Sequence, residues 1–186
     1  MKKRTVEPLP LPLSKNIKNT MDKIFPKNIP SPNLYRIVAK NEPLFKELIE
    51  SEFIGKTGLF DRKRLSPELR EKIILRTCVA TKNEYEFNLH VDTISQKMGL
   101  TIKQIEDVKK PNLNLDYWNK EDIALFDMID SLVKQIKVSD SVFDNVSRYY
   151  NESLLIEIIH IIGLYTGVAM LVAFCNPQFD NYKNLK

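Results

Sequence analysis

Cysteine is scarce in this chain. There are two in 186 residues, Cys78 and Cys175, far apart and in no zinc-ligand or CxxC spacing. That argues against a disulfide scaffold or a zinc module and fits a reducing compartment, where free thiols are common. Histidine is equally rare, with only His90 and His160. Strand patterning is missing too: no run sustains apolar/polar alternation, no βαβ rhythm appears, and no sequence repeat recurs at a fixed period. The basic surplus is also absent from most of the chain. The formal net charge is +4, but residues 1–30 carry seven Lys/Arg against Glu7 and Asp22, a balance of +5 that leaves −1 for residues 31–186. A nucleic-acid footprint needs a basic face on the folded part, so no nucleic-acid partner is expected.

No secretory signal is expected either. "MKKRTVEPLPLPL" opens basic, but Pro8, Pro10 and Pro12 interrupt any apolar core. One long apolar run does exist, "LLIEIIHIIGLYTGVAMLVAF", residues 154–174. It is long enough to span a bilayer. Glu157 and His160 within it, and the lack of a close basic flank, favour a buried central or subunit-interface helix over a membrane span. A cytoplasmic location without membrane attachment follows as the expectation.

What is present reads as helix. Length suits one domain with a proper core, and 43% hydrophobic with 28% charged residues is ordinary globular composition. Six of the ten prolines lie in residues 1–32, which marks an arm that is irregular or polyproline-like in part. Two short helices broken near Pro43 and ending by Gly55 to Gly58 should follow. "LSPELREKIILRTCVATK" starts a helix with Ser66 as N-cap and Pro67 in the first turn. "EYEFNLHVDTISQKMG" predicts the next helix, stopped by Gly99, and Thr101 caps a short one after it. "NKEDIALFDMIDSLVKQIK" places Ile123, Phe126, Ile129, Leu132, Val133 and Ile136 at helical spacing. "SDSVFDNVSRYY" and the apolar run close the set. The expected organisation is an arm over 1–32, a helical domain over 33–176 and a tail over 177–186.

The stretch "TKNEYEFNLHV" concentrates the chemistry. On a helix, Asn83, Glu86 and His90 stand at i, i+3 and i+7 and share one face, while Phe87, Val91, Ile94 and Met98 share a core-like one. The preceding helix has Glu71 and Cys78 seven apart. A connector as short as "TKN" suits an antiparallel pair, which brings Glu71 and Cys78 towards Asn83, Glu86 and His90. Carboxylates and an imidazole in a partly dry pocket form an acid–base site. Structural readings stand beside each of these. His90 can serve a helix interface, Glu71 can pair with the helix dipole and with Arg70 or Arg76, and Cys78 can be a small buried apolar group. Glu157 and His160, at i and i+3, read as a buried interface pair, and the basic arm as a solvated or docking tail.

In order and spacing, "SPNLYRIVAKNEPLF", "LSPELRE", "ILR", "EYEFNLHV", "GLT" and "LIEI…YTGVA" resemble the carboxymuconolactone decarboxylase family, which includes the alkyl hydroperoxidase D-type proteins. The resemblance implies an all-α, oligomeric fold, as dimer, trimer or hexamer. Thiol members of the family carry a Glu, eleven residues, CxxC, three residues and a His. On this chain the Glu falls on Glu71, the cysteines on Asn83 and Glu86, and the His on His90. Both thiols are missing, which argues against peroxide reduction through a disulfide. The pattern resembles the non-thiol, lactone-decarboxylase-like branch. It implies a decarboxylase of a small carboxylated lactone, with Glu71, Glu86 and His90 as catalytic residues and with no metal or organic cofactor. Two other readings stay open: an antioxidant enzyme using Cys78 as a lone thiol, and an inert family member that binds another protein, with the Pro-rich arm as part of the surface.

Overall fold

The computed structural model describes residues 5–25, 29–54, 58 and 63–182. The Gly55 stop, residues 1–4 and 26–28 of the arm and 183–186 of the tail lie outside these. Nine α-helices and no strand occur among the described residues: α1 (Lys15–Met21), α2 (Asn33–Val38), α3 (Glu42–Glu50), α4 (Pro67–Ala80), α5 (Glu84–Thr93), α6 (Ile102–Asp107), α7 (Lys120–Gln135), α8 (Asp140–Val146) and α9 (Glu152–Cys175). The chain divides into two compact units, Met1–Arg64 with Val172–Lys186, and Leu65–Leu171.

In the first unit, the proline-rich segment contains a helix that composition alone did not indicate. Ser14 caps α1 by accepting from the Ile17 N–H, and Ile17 and Met21 face a small core with Ala39, Phe45 and Ile49. Burying these side chains, with Leu9 and Leu13 packed on them, compensates for a short and intrinsically weak helix. The break near Pro43 lies just before it. Asn41 accepts from the Leu44 N–H and Pro43 occupies the first turn of α3.

The second unit is built around α4, which packs on α5 and on α7, and α7 packs on α8. Ser66 accepts from the Leu69 N–H, as the sequence predicts. Ile73, Ile74 and Leu75 of α4 and Leu125, Phe126 and Ile129 of α7 supply the core. Two ion pairs tie α4 to α7. Arg76 grips Asp130 in a two-pronged contact at 2.9 and 2.7 Å, and Lys72 reaches Asp122 at 2.9 Å and Glu68 at 2.7 Å. Arg76 also donates to the carbonyls of Val108 and Lys110, so its charge is fully engaged away from Glu71.

Three elements differ from the sequence reading. First, α5 ends at Thr93, not at Gly99. Ile94 leaves helical geometry at φ −136, and the amides of Ile94 and Ser95 both donate to the His90 carbonyl. Gly99 then closes the following turn at φ +109, a backbone that favours glycine. Second, Ile136 is not core. It sits at the end of α7 in the left-handed region, φ 52, and is 82% exposed. The apolar stripe extrapolates correctly only as far as the helix does. Third, the pair Glu157 and His160 is not buried as read, because His160 lies on the open side of α9, which is buried on one face, at Ile158, Ile161, Ile162 and Tyr165, and exposes Ile156, Ile159 and Met170 on another. By length and composition alone α9 is also long and apolar enough to cross a membrane, and a third of its most apolar stretch is buried within the chain. His160 is exposed and bonds the Ile156 carbonyl at 2.7 Å.

Candidate functional site

The connector between α4 and α5 sets the geometry. Asn83 donates its backbone N–H to the Cys78 carbonyl at 2.8 Å, Thr81 to that of Thr77 and Lys82 to that of Val79. Lys82 adopts φ 58, and the chain reverses in a few residues. α5 therefore runs back along α4. Asn83 begins α5 beside the end of α4, and His90, two turns on, reaches the carboxylate of Glu71 near α4's start.

Glu71, Glu86 and His90 converge. Glu71 is 0% exposed. His90 Nδ1 lies 3.1 Å from each of its carboxylate oxygens, and Ser95 Oγ donates to Oε1 at 2.6 Å. The Nδ1–H donated to Glu71 fixes how the imidazole ring is turned. Its other nitrogen, Nε2, faces Glu86 Oε1 at 3.5 Å and the Tyr165 hydroxyl of α9 at 3.4 Å. The Tyr165 ring meets the imidazole edge-on, with centroids 5.6 Å apart.

The electrostatics follow from this enclosure. Burial alone would lower the His90 pKa, but the Glu71 carboxylate, through charge and hydrogen bond, and then Glu86 outweigh it and raise it to about 9. His90 is therefore an imidazolium at neutral pH. Burial likewise pushes Glu71 up, and the charge and hydrogen bond of His90, with the Ser95 hydroxyl and the charge of Arg70, bring it below its ordinary value. Cys78 is the opposite case. Burial first, then the carboxylates of Glu86 and Glu71, hold its thiol well above the usual range. It stays protonated and enclosed, which is unlike a reactive thiolate.

Two polar atoms at the start of α5 are left over. Asn83 Oδ1 accepts from the Glu86 N–H at 3.2 Å as the helix cap, so its Nδ2 points elsewhere. Glu86 Oε1 faces His90, which leaves Oε2. Both Nδ2 and Oε2 are buried and have no hydrogen-bond partner within the chain. An orphaned buried polar atom costs on the order of 1–3 kcal/mol, so the fold tolerates a real local penalty here. Among the described residues no group of three or more His, Cys, Asp and Glu is placed to hold a metal ion.

Sequence spacing placed Asn83, Glu86 and His90 on one face and Glu71 opposite, and the structure brings them together. It missed Ser95 and Tyr165. Ser95 reaches Glu71 only because α5 breaks at Ile94, and periodicity carries no sign of that break. Tyr165 lies 75 residues beyond His90, and only the packing of α9 brings it in.

No protein-family model matches the sequence, and no curated protein matches it. Solved structures do. The debrominase Bmp8 without ligand superposes with a TM-score of 0.77 at 19% identity, covering 100% of this chain and 97% of its own. A cysteine-to-alanine variant of that debrominase in complex with 2,3,4-tribromopyrrole gives 0.78 at 19% identity, covering 99% and 96%. An uncharacterized peroxidase-related protein from Silicibacter sp. TM1040 gives 0.74 at 14% identity, covering 100% and 99%. Identities this low speak for the fold alone: the chain is all-α with the alkyl hydroperoxidase D-like, carboxymuconolactone decarboxylase fold.

Proposed function

We propose that Glu71, His90 and Glu86 form an acid–base site that protonates carbon on a small unsaturated molecule, in the manner of a carboxymuconolactone-decarboxylase-like lyase. The observation that carries this is the placement of His90, whose Nδ1 is pinned by a fully buried carboxylate while Nε2 faces Glu86 and Tyr165. A group with a pKa of about 9 is loaded with its proton at neutral pH, and Glu71 fixes which nitrogen presents it.

In a decarboxylation the bond between the substrate carbon and its carboxylate breaks, CO₂ departs, and the electron pair stays on carbon, delocalised into the conjugated carbonyl of the lactone. His90 Nε2–H gives its proton to that carbon. The neutral imidazole keeps its Nδ1–H on Glu71 and recovers a proton from solvent, so one proton is consumed per turnover. Glu71 remains ionised throughout and stabilises the imidazolium before transfer, as a carboxylate does when it orients a catalytic histidine. Support for a small ring substrate comes from one fold neighbour, which is complexed with 2,3,4-tribromopyrrole.

CO₂ release from a panel of small carboxylated lactones, run in deuterated water, tests this. Deuterium should enter the product at the carbon that lost CO₂, and His90→Gln and Glu71→Gln should each lower the rate at least about a hundredfold, the usual contribution of a general acid. Turnover that survives His90→Gln, or no turnover of any member together with peroxide reduction dependent on Cys78, would contradict it.

A further inference from the structure

Asn83 and Glu86 occupy the positions that the thiol pattern would fill with cysteines, and the acid–base reading uses only one oxygen of Glu86. Their leftover atoms are one donor and one acceptor. Asn83 Nδ2 is a donor, because the capping bond to the Glu86 N–H commits Oδ1 as the acceptor. Glu86 Oε2 is an acceptor, because Oε1 is turned to His90. The two residues are three apart on the first turn of α5, hence neighbours on its surface. They are 3% and 8% exposed, and both atoms lack a partner.

We propose that this pair anchors the hydrogen-bonding edge of the small molecule that the site takes, and that the edge is neutral and mixed: a carbonyl beside an N–H or O–H, as in a carboxamide, a lactam or a lactone with a hydroxyl on the carbon next to its carbonyl. The carbonyl accepts from Asn83 Nδ2, and the adjacent N–H or O–H donates to Glu86 Oε2. Other chemistries fail on one atom. A carboxylate satisfies Asn83 but sets like charge against Glu86. An ammonium satisfies Glu86 but turns donors onto the Asn83 amide. An apolar edge leaves both orphans unpaired. Any carboxylate lost in the reaction therefore lies elsewhere on the molecule, towards the imidazolium. Both anchoring atoms are closed to solvent, so a ligand reaches them only as neighbouring side chains give way. The inference rests on the acid–base reading for what happens to the bound molecule, and on the orphaned pair alone for what binds.

Benzamide, N,N-dimethylbenzamide and benzoate share a shape and differ in this edge. Their affinities for the full-length protein, measured by ligand-observed NMR alongside the side-chain amide signal of ¹⁵N-labelled Asn83, provide the test. Benzamide should bind at least about tenfold tighter than either of the others, the ratio expected for a buried hydrogen bond lost or a like charge met, and should shift the Asn83 amide. Glu86→Gln should erase the preference for benzamide over benzoate; a folded variant that keeps it would overturn the assignment. Equal affinity for all three, or no binding with a water bridging Asn83 Nδ2 and Glu86 Oε2 in a crystal structure, would overturn it as well. The preference does not depend on turnover. Benzamide selectivity without any CO₂ release would sink the acid–base reading and leave the anchoring pair standing.

Discussion

His90 Nδ1 stands 3.1 Å from both carboxylate oxygens of Glu71, and neither residue is open to solvent. A buried ion pair of this kind is a poor source of net stability but a sensitive one. Both charges have given up water, and each then depends on the other.

That dependence sets a pH profile. The folded pKa of His90, about 9, lies above its ordinary 6.5. Its contribution is therefore complete below about pH 6.5 and is lost as pH rises through 9. Glu71 is lowered from 4.5, so its contribution is complete above about that pH and is lost as pH falls further. The pair should give a plateau from about pH 4.5 to 6.5 and an alkaline decline on the order of 3 kcal/mol, counted once because both shifts describe one interaction. Thermal unfolding against pH should show the decline in the native protein, and His90→Gln should flatten it.

Removing one partner should cost more than removing both charges. Glu71→Gln leaves a buried imidazole with an amide in place of a carboxylate and should destabilise by roughly 3 kcal/mol. The double variant Glu71→Gln with His90→Gln should recover part of that loss. Urea unfolding of the two proteins measures the difference.

Cys78 should behave as a packing residue. Its thiol is enclosed and held protonated by burial and by two carboxylates. Alkylation of the native protein at pH 8 should be much slower at Cys78 than at a free model thiol, and peroxide reduction dependent on dithiols should be absent. Robust peroxide turnover abolished by Cys78→Ser would restore the antioxidant reading.

Much of this was legible in the sequence, for identifiable reasons. Ser66 and Thr101 announce their helices through side-chain caps that are local chemistry, and both accept the expected backbone N–H. The shared face of Asn83, Glu86 and His90 follows from helical pitch, and the short "TKN" connector gave the reversal that adds Glu71. Non-local information was out of reach. Nothing local shows that α5 gives up at Ile94 to send Ser95 back to Glu71, or that Tyr165 arrives from α9. Glu71 reads in sequence as a plausible dipole partner near a helix start, and only the tertiary packing makes it the most enclosed acid of the site.

The exposed side of α9 points to assembly. Ile156, Ile159 and Met170 are open to solvent in the single chain, and so much apolar surface on one helix is costly to leave wet. Light scattering should give a dimer or larger, and Ile159→Lys should shift the protein towards smaller species. A monodisperse monomer of 21.7 kDa would contradict this.

The protonation state of His90 tests the central claim most directly. NMR of the protein labelled with ¹⁵N-histidine, titrated from pH 6 to 10, reports both ring nitrogens of His90. Both should carry protons at neutral pH, with titration near 9, and Glu71→Gln should bring the midpoint down by more than a unit. A His90 that is neutral at pH 7.5 in the native protein, or whose midpoint ignores Glu71→Gln, would contradict the imidazolium on which the acid–base site depends.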